Sequence, residues 1–306
     1  MRVTVIGDST LDVTVRPATA PRAGGDVPAR ISLSPGGQGA NVAVRLARAG
    51  LEVRLAAAIA DDAPGRLLSD ALEADRVAVV RLAAERSGLV ISLLDAAGER
   101  AMLSDRVMLD PSGVAAACAK TDWVHCSAYP LADDATADAL AVLLGSLPST
   151  TIVSAGGGSL PDDPALAGRV RRRLSTAGVR LLIVGRDEAS ALLDQPLPSL
   201  PAAADALAAA FPSVIAVVTG AAAGSAAAGP GFALSVPAVE PATPMVDATG
   251  AGDAYVAALI ARLLGTDWPP DATTLRDAME RGTREGGLVA RVVGAQGRTG
   301  AEAGSR

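Results

Sequence analysis

The sequence predicts an α/β fold with three layers. A mainly parallel central sheet carries helices on both faces, and a small β-sheet lies over one end. Three observations predict it. Short apolar, β-branched runs alternate with helical repeats along most of the 306 residues. Two stretches, about 12–34 and 87–107, break the alternation and read as extended pieces. Half of the residues are apolar, enough to fill a core between layers.

The elements follow in order. Val3–Ile6, ending at Gly7, reads as the first buried strand. "ANVAVRLARAG" places Val42, Leu46 and Ala49 at helical spacing, and Gly50 stops it. "VRLAAAIA" at 53–60 reads as a strand and 64–77 as a helix. Val13–Leu33 carries several Pro and Gly between short extended pieces. "GLVISLLDAAGERAMLSDR" reads as a hairpin turning at "DAAGER". Alternation resumes with strands "DWVHCSA" and "TIVSA" around a helix at about 133–146. A helix at 169–178, the strand "VRLLIVG", helices near 187–193 and 201–210, and the strand at 213–220 come next. "SAAAGPGFALSVPA" reads as a hairpin, followed by helices at 252–264 and about 274–291. No repeat or linker is visible. The expected organisation is one domain over 1–306, with a frayed tail at 298–306.

Composition excludes several classes. The net charge of −6 argues against a nucleic-acid partner. No run is long and apolar enough for a signal peptide or a membrane span, so a cytoplasmic protein is expected. Cys118 and Cys126 read as buried thiols of a reducing compartment. His125, the single histidine, lacks further ligands at zinc spacing. No G-x-S-x-G elbow is present. Asp61 and Asp62 read as helix caps. The Arg169–Arg173 cluster reads as a solvated helix face, and Arg100 and Arg106 as solvated charges flanking a strand. Turned inward, those two arginines would suit a phosphorylated substrate.

Two motifs carry chemistry. In "DATGAGDAYVAAL", Gly250, Ala251 and Gly252 open a helix whose first N–H groups favour an anion. Asp253 stands at the lip of that cradle. An acid there would repel phosphate unless the attacking oxygen lies between them. It can then take the proton of a substrate hydroxyl while the N–H groups stabilise charge on a transferring phosphoryl group. In "SPGGQGANVAVRLARAG", Gly36, Gly37 and Gly39 precede a helix bearing Asn41 in its first turn, which suits close approach to a polyhydroxy ligand. Neither a Walker A loop nor a G-x-G-x-x-G fingerprint is present.

Together, "PGGQGANVA" and "DATGAGDAYVAALI" resemble the signatures of the ribokinase-like sugar kinases, the PfkB carbohydrate kinases, and the likeness covers nearly the whole chain. The resemblance implies a ribokinase-like fold and an ATP-dependent kinase acting on a carbohydrate hydroxyl. It makes Asp253 the catalytic base and the backbone of Gly250, Ala251, Gly252 and Asp253 the anion hole. Asp12 answers the family's early substrate-binding acid. Gly36, Gly37 and Asn41 answer its sugar contacts, with Asp8 and Thr10 beside them. The extended pieces resemble the family's lid, through which members dimerise. The resemblance also implies Mg²⁺, and a monovalent cation such as K⁺ beside the loop from Asp247. The family's N-x-x-E reads "GRDE" here: Glu188 matches as the metal-ordering acid, and Gly185 replaces Asn. Its T-x-G-x-x-G nucleotide loop keeps Thr219 and Gly224 but has Ala221, tolerable where φ is negative. Gly294 and Gln296 resemble the segment beside adenine. A nucleoside kinase, disfavoured by 2% aromatics, and a non-catalytic nucleotide- or sugar-binding member are the rival readings.

Overall fold

The structure, a computed structural model, describes residues 1–95, 100–157, 163–239, 247–291 and 294–296. In chain order the first half gives β1 (Arg2–Ile6), β2 (Thr10–Pro17), β3 (Ala29–Gly36), α1 (Gln38–Arg48), β4 (Glu52–Ala58), α2 (Ala63–Ala74), β5 (Ala78–Leu82), β6 (Gly88–Leu94), β7 (Arg100–Asp105), α3 (Val114–Ala117), β8 (Trp123–Ser127), α4 (Ala128–Ala132) and α5 (Ala137–Gly145). The second half gives β9 (Ile152–Gly156), α6 (Pro164–Thr176), β10 (Leu181–Gly185), α7 (Arg186–Leu193), α8 (Leu200–Ala210), β11 (Ile215–Thr219), β12 (Ser225–Gly229), β13 (Phe232–Val236), α9 (Ala251–Leu263) and α10 (Ala272–Val289).

The large sheet has nine strands in the order β13-β12-β11-β10-β9-β8-β1-β4-β5. Strands β11, β10, β9, β8, β1, β4 and β5 pair in parallel, and β12 and β13 close one edge antiparallel. Side chains alternate between two buried layers, because a strand turns successive residues to opposite faces. Val3, Val5, Leu181, Ile183 and Val217 pack with α1, α9 and α10. Ile6, Val124, Leu182, Val184 and Val218 pack against α5 to α8. Both faces are therefore covered, which is why these strands read as unbroken apolar runs.

The small sheet has the order β3-β2-β6-β7. Its strands alternate too: Val90 and Ser92 are buried on one face, whereas Ile91 is 38% exposed on the other. The register sets Leu33, Val13, Ile91 and Leu103 in one row across the outer face, and Ile31, Val15 and Leu93 in the next. Asp12 pairs with Ser34 and Val90 on the inner face. The turn at "DAAGER" and the tail at 298–306 fall wholly or partly outside the described residues.

Local chemistry explains most boundaries. Asp62 caps α2 by accepting from the Gly65 amide at 2.8 Å, as expected. The same carboxylate takes the Ser87 amide and hydroxyl, tying α2 to the start of β6. The helix expected at about 133–146 starts later, as α5 at Ala137, and the short α4 precedes it. Asp133 leaves α4 with extended backbone and accepts from the Thr136 hydroxyl at 2.6 Å, so α5 starts afresh. The short strand β5 was not legible in its five residues. The Arg169–Arg173 face is not simply solvated. Arg173 is 3% exposed and bonds Asp134, Asp138 and the Leu131 carbonyl. Cys118 and Cys126 are buried thiols, Cys118 pushed up to about 11 by desolvation. His125 lies wholly inside β8, 3.0 Å from the Ser154 hydroxyl, its pKa pushed down to about 4 by burial. Among the described residues no helix is long and apolar enough to cross a membrane.

Candidate active site

The sheet changes winding direction between β1 and β8: the chain runs from β1 to β4 and β5 on one side, then from β8 outward on the other. Ligands of open parallel sheets bind beyond the strand ends at such a point. Here those ends are Gly7–Asp8 and Ser127–Tyr129.

Glycines let the first loops cross there. A Cβ on Gly7 would stand 2.8 Å from the Gly39 Cα, so the end of β1 and the start of α1 touch backbone to backbone. Gly37 has φ +93 and lies over the Asp8 backbone. Gly36 faces the Asp12 carboxylate, whose Oδ2 would be 2.2 Å from any added Cβ. Asp12 also accepts from the Thr10 hydroxyl at 2.9 Å. Asp8 accepts from the Gly39 amide at 3.3 Å. The early predicted residues are thus one cluster.

The two motifs meet directly. Asn41 Nδ2 donates to Asp253 Oδ2 at 2.7 Å across 212 residues of sequence. Desolvation pushes the Asp253 carboxyl up to about 7. The Asn41 bond and Arg45 oppose that shift, and the charges of Asp8 and Glu188 add to it. Asp253 lies deep in the cleft yet keeps partial exposure, so a proton can reach it. Gly250, with φ 78, is the N-cap of α9, and no side chain caps the helix. The Ala251 amide donates to the Ala248 carbonyl, whereas no described residue accepts from the Gly252 or Asp253 amides. Gly252 faces open space. The cradle at α9 therefore rests on Gly252 and Asp253 more than on Ala251.

Behind it, Asp247 accepts from the Thr249 amide and hydroxyl and from the Gly294 amide. A Cβ on Gly250 would meet the Ala295 carbonyl at 2.5 Å. The sequence did not reveal how α1 secures this segment: Arg45 donates to the Ala295 carbonyl and Arg48 to that of Gln296.

At the ends of β10 and β11, Gly185 and Thr219 are register partners. Glu188 Oε2 accepts from the Gly185 amide at 2.7 Å in a helix-capping arrangement, and burial raises its pKa. Gly185 has φ −73, and a Cβ would meet nothing nearer than Glu188 Oε2 at 3.6 Å, so glycine is not required there. Ala221 departs from expectation. Its φ is 48, the left-handed region that the tolerance of alanine was expected to avoid. Gly224, with φ +84, leaves no room for a side chain against the Val236 carbonyl. Among the described residues no three His, Cys, Asp or Glu cluster as metal ligands.

A cavity of about 300 Å³ opens beside Asp8 and Thr10. Its other walls include Val107, Met108, Leu109, Pro130 and Leu166, with Ser9, Asp133, Tyr129 and Arg106 as further polar groups. Arg106 is not the solvated charge expected. It pairs with Asp8 and lies 4.0 Å over the Tyr129 ring. Asp12, Gly36, Gly37, Asn41 and Asp253 do not line this cavity, although Asp12 bonds Thr10 and Gly37 lies over Asp8, both of which do.

Residues 2–300 match the family described as pfkB family carbohydrate kinase. The chain resembles a ribokinase from Cryptococcus neoformans var. grubii serotype A solved with ADP, at 23% identity, TM-score 0.77, covering 96% of this chain and 95% of that one. It resembles a Vibrio cholerae O395 fructokinase double mutant solved with fructose, ADP and potassium ion, at 25% identity and TM-score 0.73, covering 96% and 94%. A Thermotoga maritima ribokinase gives 18% identity and TM-score 0.76, covering 96% and 94%. Comparison with curated proteins gave no match. With a three-layer ribokinase-like core, a small second sheet and both signature motifs meeting at Asn41 and Asp253, the chain belongs to the pfkB family of carbohydrate kinases.

Proposed function

We propose that this phosphotransferase, whose acceptor is an alcohol, moves the γ-phosphate of ATP to a hydroxyl of a small carbohydrate. The observation that carries the reading is the Asn41–Asp253 hydrogen bond, with the Asp253 carboxyl raised to about 7 at the open N-terminus of α9. Asp253 takes the proton of the attacking hydroxyl. A carboxyl poised near neutrality suits that task, since a base works best with a pKa close to the working pH. Asn41 fixes the carboxylate's direction. The Gly252 and Asp253 amides face the charge that builds on the phosphoryl group, while Gly250 and Ala251 shape the turn that aims them. Asp12, Thr10 and Asp8 hold acceptor hydroxyls, and Gly36 and Gly37 let the acceptor lie against the backbone.

ATP fits the remaining surfaces. Gly252 leaves open space at the helix terminus, and Gly224 keeps side chains from the turn after β11. Thr219, Gly224, Gly294 and Gln296 form the nucleotide side of this reading. Mg²⁺ fits as well, because this ion is bound by few carboxylates plus substrate phosphates and water, and needs no protein cage. Glu188 offers Oε1, which takes no bond from a described residue, to the water shell of such an ion. Bound there, Mg²⁺ would neutralise phosphate charge. In this reading K⁺ would act beside the loop from Asp247, whose carboxylate accepts from the Gly294 amide. The small sheet serves as a lid, its segments near 12–34 and 87–107 belonging to one kinase domain. Its exposed row of Leu33, Ile91 and Leu103 supports pairing of two copies through the outer face.

The test is ADP release from Mg-ATP with a panel of free sugars, sugar acids, sugar phosphates and nucleosides. A carbohydrate that raises turnover well above the background ATPase supports the reading. ATP binding with no transfer to any of them counts against it.

A further inference from the structure

We propose that Arg106 forms an anion subsite at the end of the acceptor cavity, so that the carbohydrate phosphorylated here carries a carboxylate or a phosphate. This rests on the kinase reading above and names the acceptor class of the same site.

Arg106 follows β7, the last strand of the small sheet, and turns into the cavity beside Asp8. Its guanidinium lies over the Tyr129 ring at 4.0 Å. Stacking covers one face of the group and fixes its plane, leaving the edge donors available. Nη1 donates to Asp8. No described residue accepts from Nε or Nη2, although the side chain is only 24% exposed. A guanidinium held this way matches the two oxygens of a carboxylate or phosphate.

The apolar part of the wall favours the same acceptor. Besides Asp8, Ser9, Thr10, Tyr129 and Asp133, the lining includes Val107, Met108, Leu109, Pro130 and Leu166, which offer no side-chain hydrogen bonds. Hydroxyls of a neutral sugar placed against them would lose water without replacement. One oxyanion on Arg106 satisfies that end of the ligand with a single residue. The Asp8–Arg106 pair is then a placeholder that keeps a part-buried cation matched in the empty cavity. When the ligand's anion takes Arg106, Asp8 keeps its bond from the Gly39 amide and turns its other oxygen to an acceptor hydroxyl. The anion lies at Arg106 and the reacting hydroxyl at Asp253, so the acceptor spans the distance between them.

The test compares a neutral sugar, its sugar acid and its monophosphate as acceptors for wild type, Arg106→Met and Arg106→Lys, by ATP-dependent turnover and by calorimetric binding. The expected result is an anionic acceptor at least about tenfold better than its neutral parent. Arg106→Met should raise KM and Kd for that acceptor on the order of 10- to 100-fold, with kcat and the neutral sugar little changed, and Arg106→Lys should fall between. The acid and the phosphate arms say which anion is recognised. A neutral sugar preferred by wild type overturns the proposal, as does an equal loss for neutral and anionic acceptors in a folded Arg106→Met. Binding decides the subsite even if no acceptor is turned over, an outcome that would count against the kinase reading alone. Should Arg106→Met not fold, the wild-type preference and Arg106→Lys decide.

Discussion

Gly7 and Gly39 touch: a Cβ on Gly39 would stand 2.7 Å from the Gly7 Cα. This contact seats α1 on the end of β1 and thereby aims Asn41 at Asp253. Gly39→Ala should separate the two elements. We expect a loss of about 1–3 kcal/mol by chemical denaturation, as for other overpacked sites. Turnover should fall further than stability predicts, because the Asn41–Asp253 bond moves with α1. Unchanged kinetics in a destabilised variant would show that the crossing serves packing alone.

Asp253 gives a pH prediction with a definite sign. Its folded pKa, about 7, is raised above the usual 3.8 by desolvation. Between those values the folded chain keeps a proton that the unfolded chain has lost. Stability therefore falls as pH rises through this window and levels off above about pH 7. Asp253→Asn removes the effect. Relative to wild type it should gain stability from pH 4 to pH 8, by at most about 4 kcal/mol and less in proportion to the group's partial exposure. The same variant should lose turnover on the order of 10²- to 10⁴-fold, and with it the rising limb of kcat/KM near pH 7.

Ala221 holds φ 48 in the turn between β11 and β12. Left-handed backbone costs alanine about 1–2 kcal/mol, and part of that relief is offset by the extra freedom of unfolded glycine. Ala221→Gly should therefore stabilise by roughly 0.5–1 kcal/mol, read as a higher Tm. A lower Tm would mean that the strain is absent in solution.

Gly185→Asn restores the N-x-x-E spacing at a position with ordinary backbone and open space around a Cβ. Folding should be unaffected. If Glu188 and its neighbours order the Mg-phosphate region, kcat/KM for Mg-ATP should rise. No kinetic change would mean that Gly185 already serves as well.

The exposed apolar rows of the small sheet yield an assembly prediction. Leu33→Lys combined with Ile91→Lys places two charges in one row. Sedimentation should show wild type as a dimer and the double variant as a monomer of similar secondary structure. A monomeric wild type would remove the reading.

Legibility followed distance in sequence. Strand runs, the Asp62 cap and both glycine motifs are local, and each is visible within a dozen residues. The inward turn of Arg106 depends on Tyr129 beyond β8 and Asp8 beyond β1, which no local pattern links to it. Arg173 is buried because Asp134 and Asp138 meet it from around α5. The φ of Ala221 follows from a turn closed by the Gly220 amide on the Gly224 carbonyl. The break between α4 and α5 was legible in principle, since Asp133 and Thr136 have the spacing of a local capping pair.

The separation of Asn41 and Asp253 by 212 positions also orders events during synthesis. The ribosome delivers Asn41 early, and the cleft around it waits for the carboxylate. A chain released before residue 253 would already hold every described strand, yet would lack α9 and α10, which cover one face of the large sheet, and with them the carboxylate proposed as its base. Truncated products would thus be inert toward phosphoryl groups, however much of the sheet they keep. The clasp of Arg45 and Arg48 on residues 295–296 delays completion of the cleft further still.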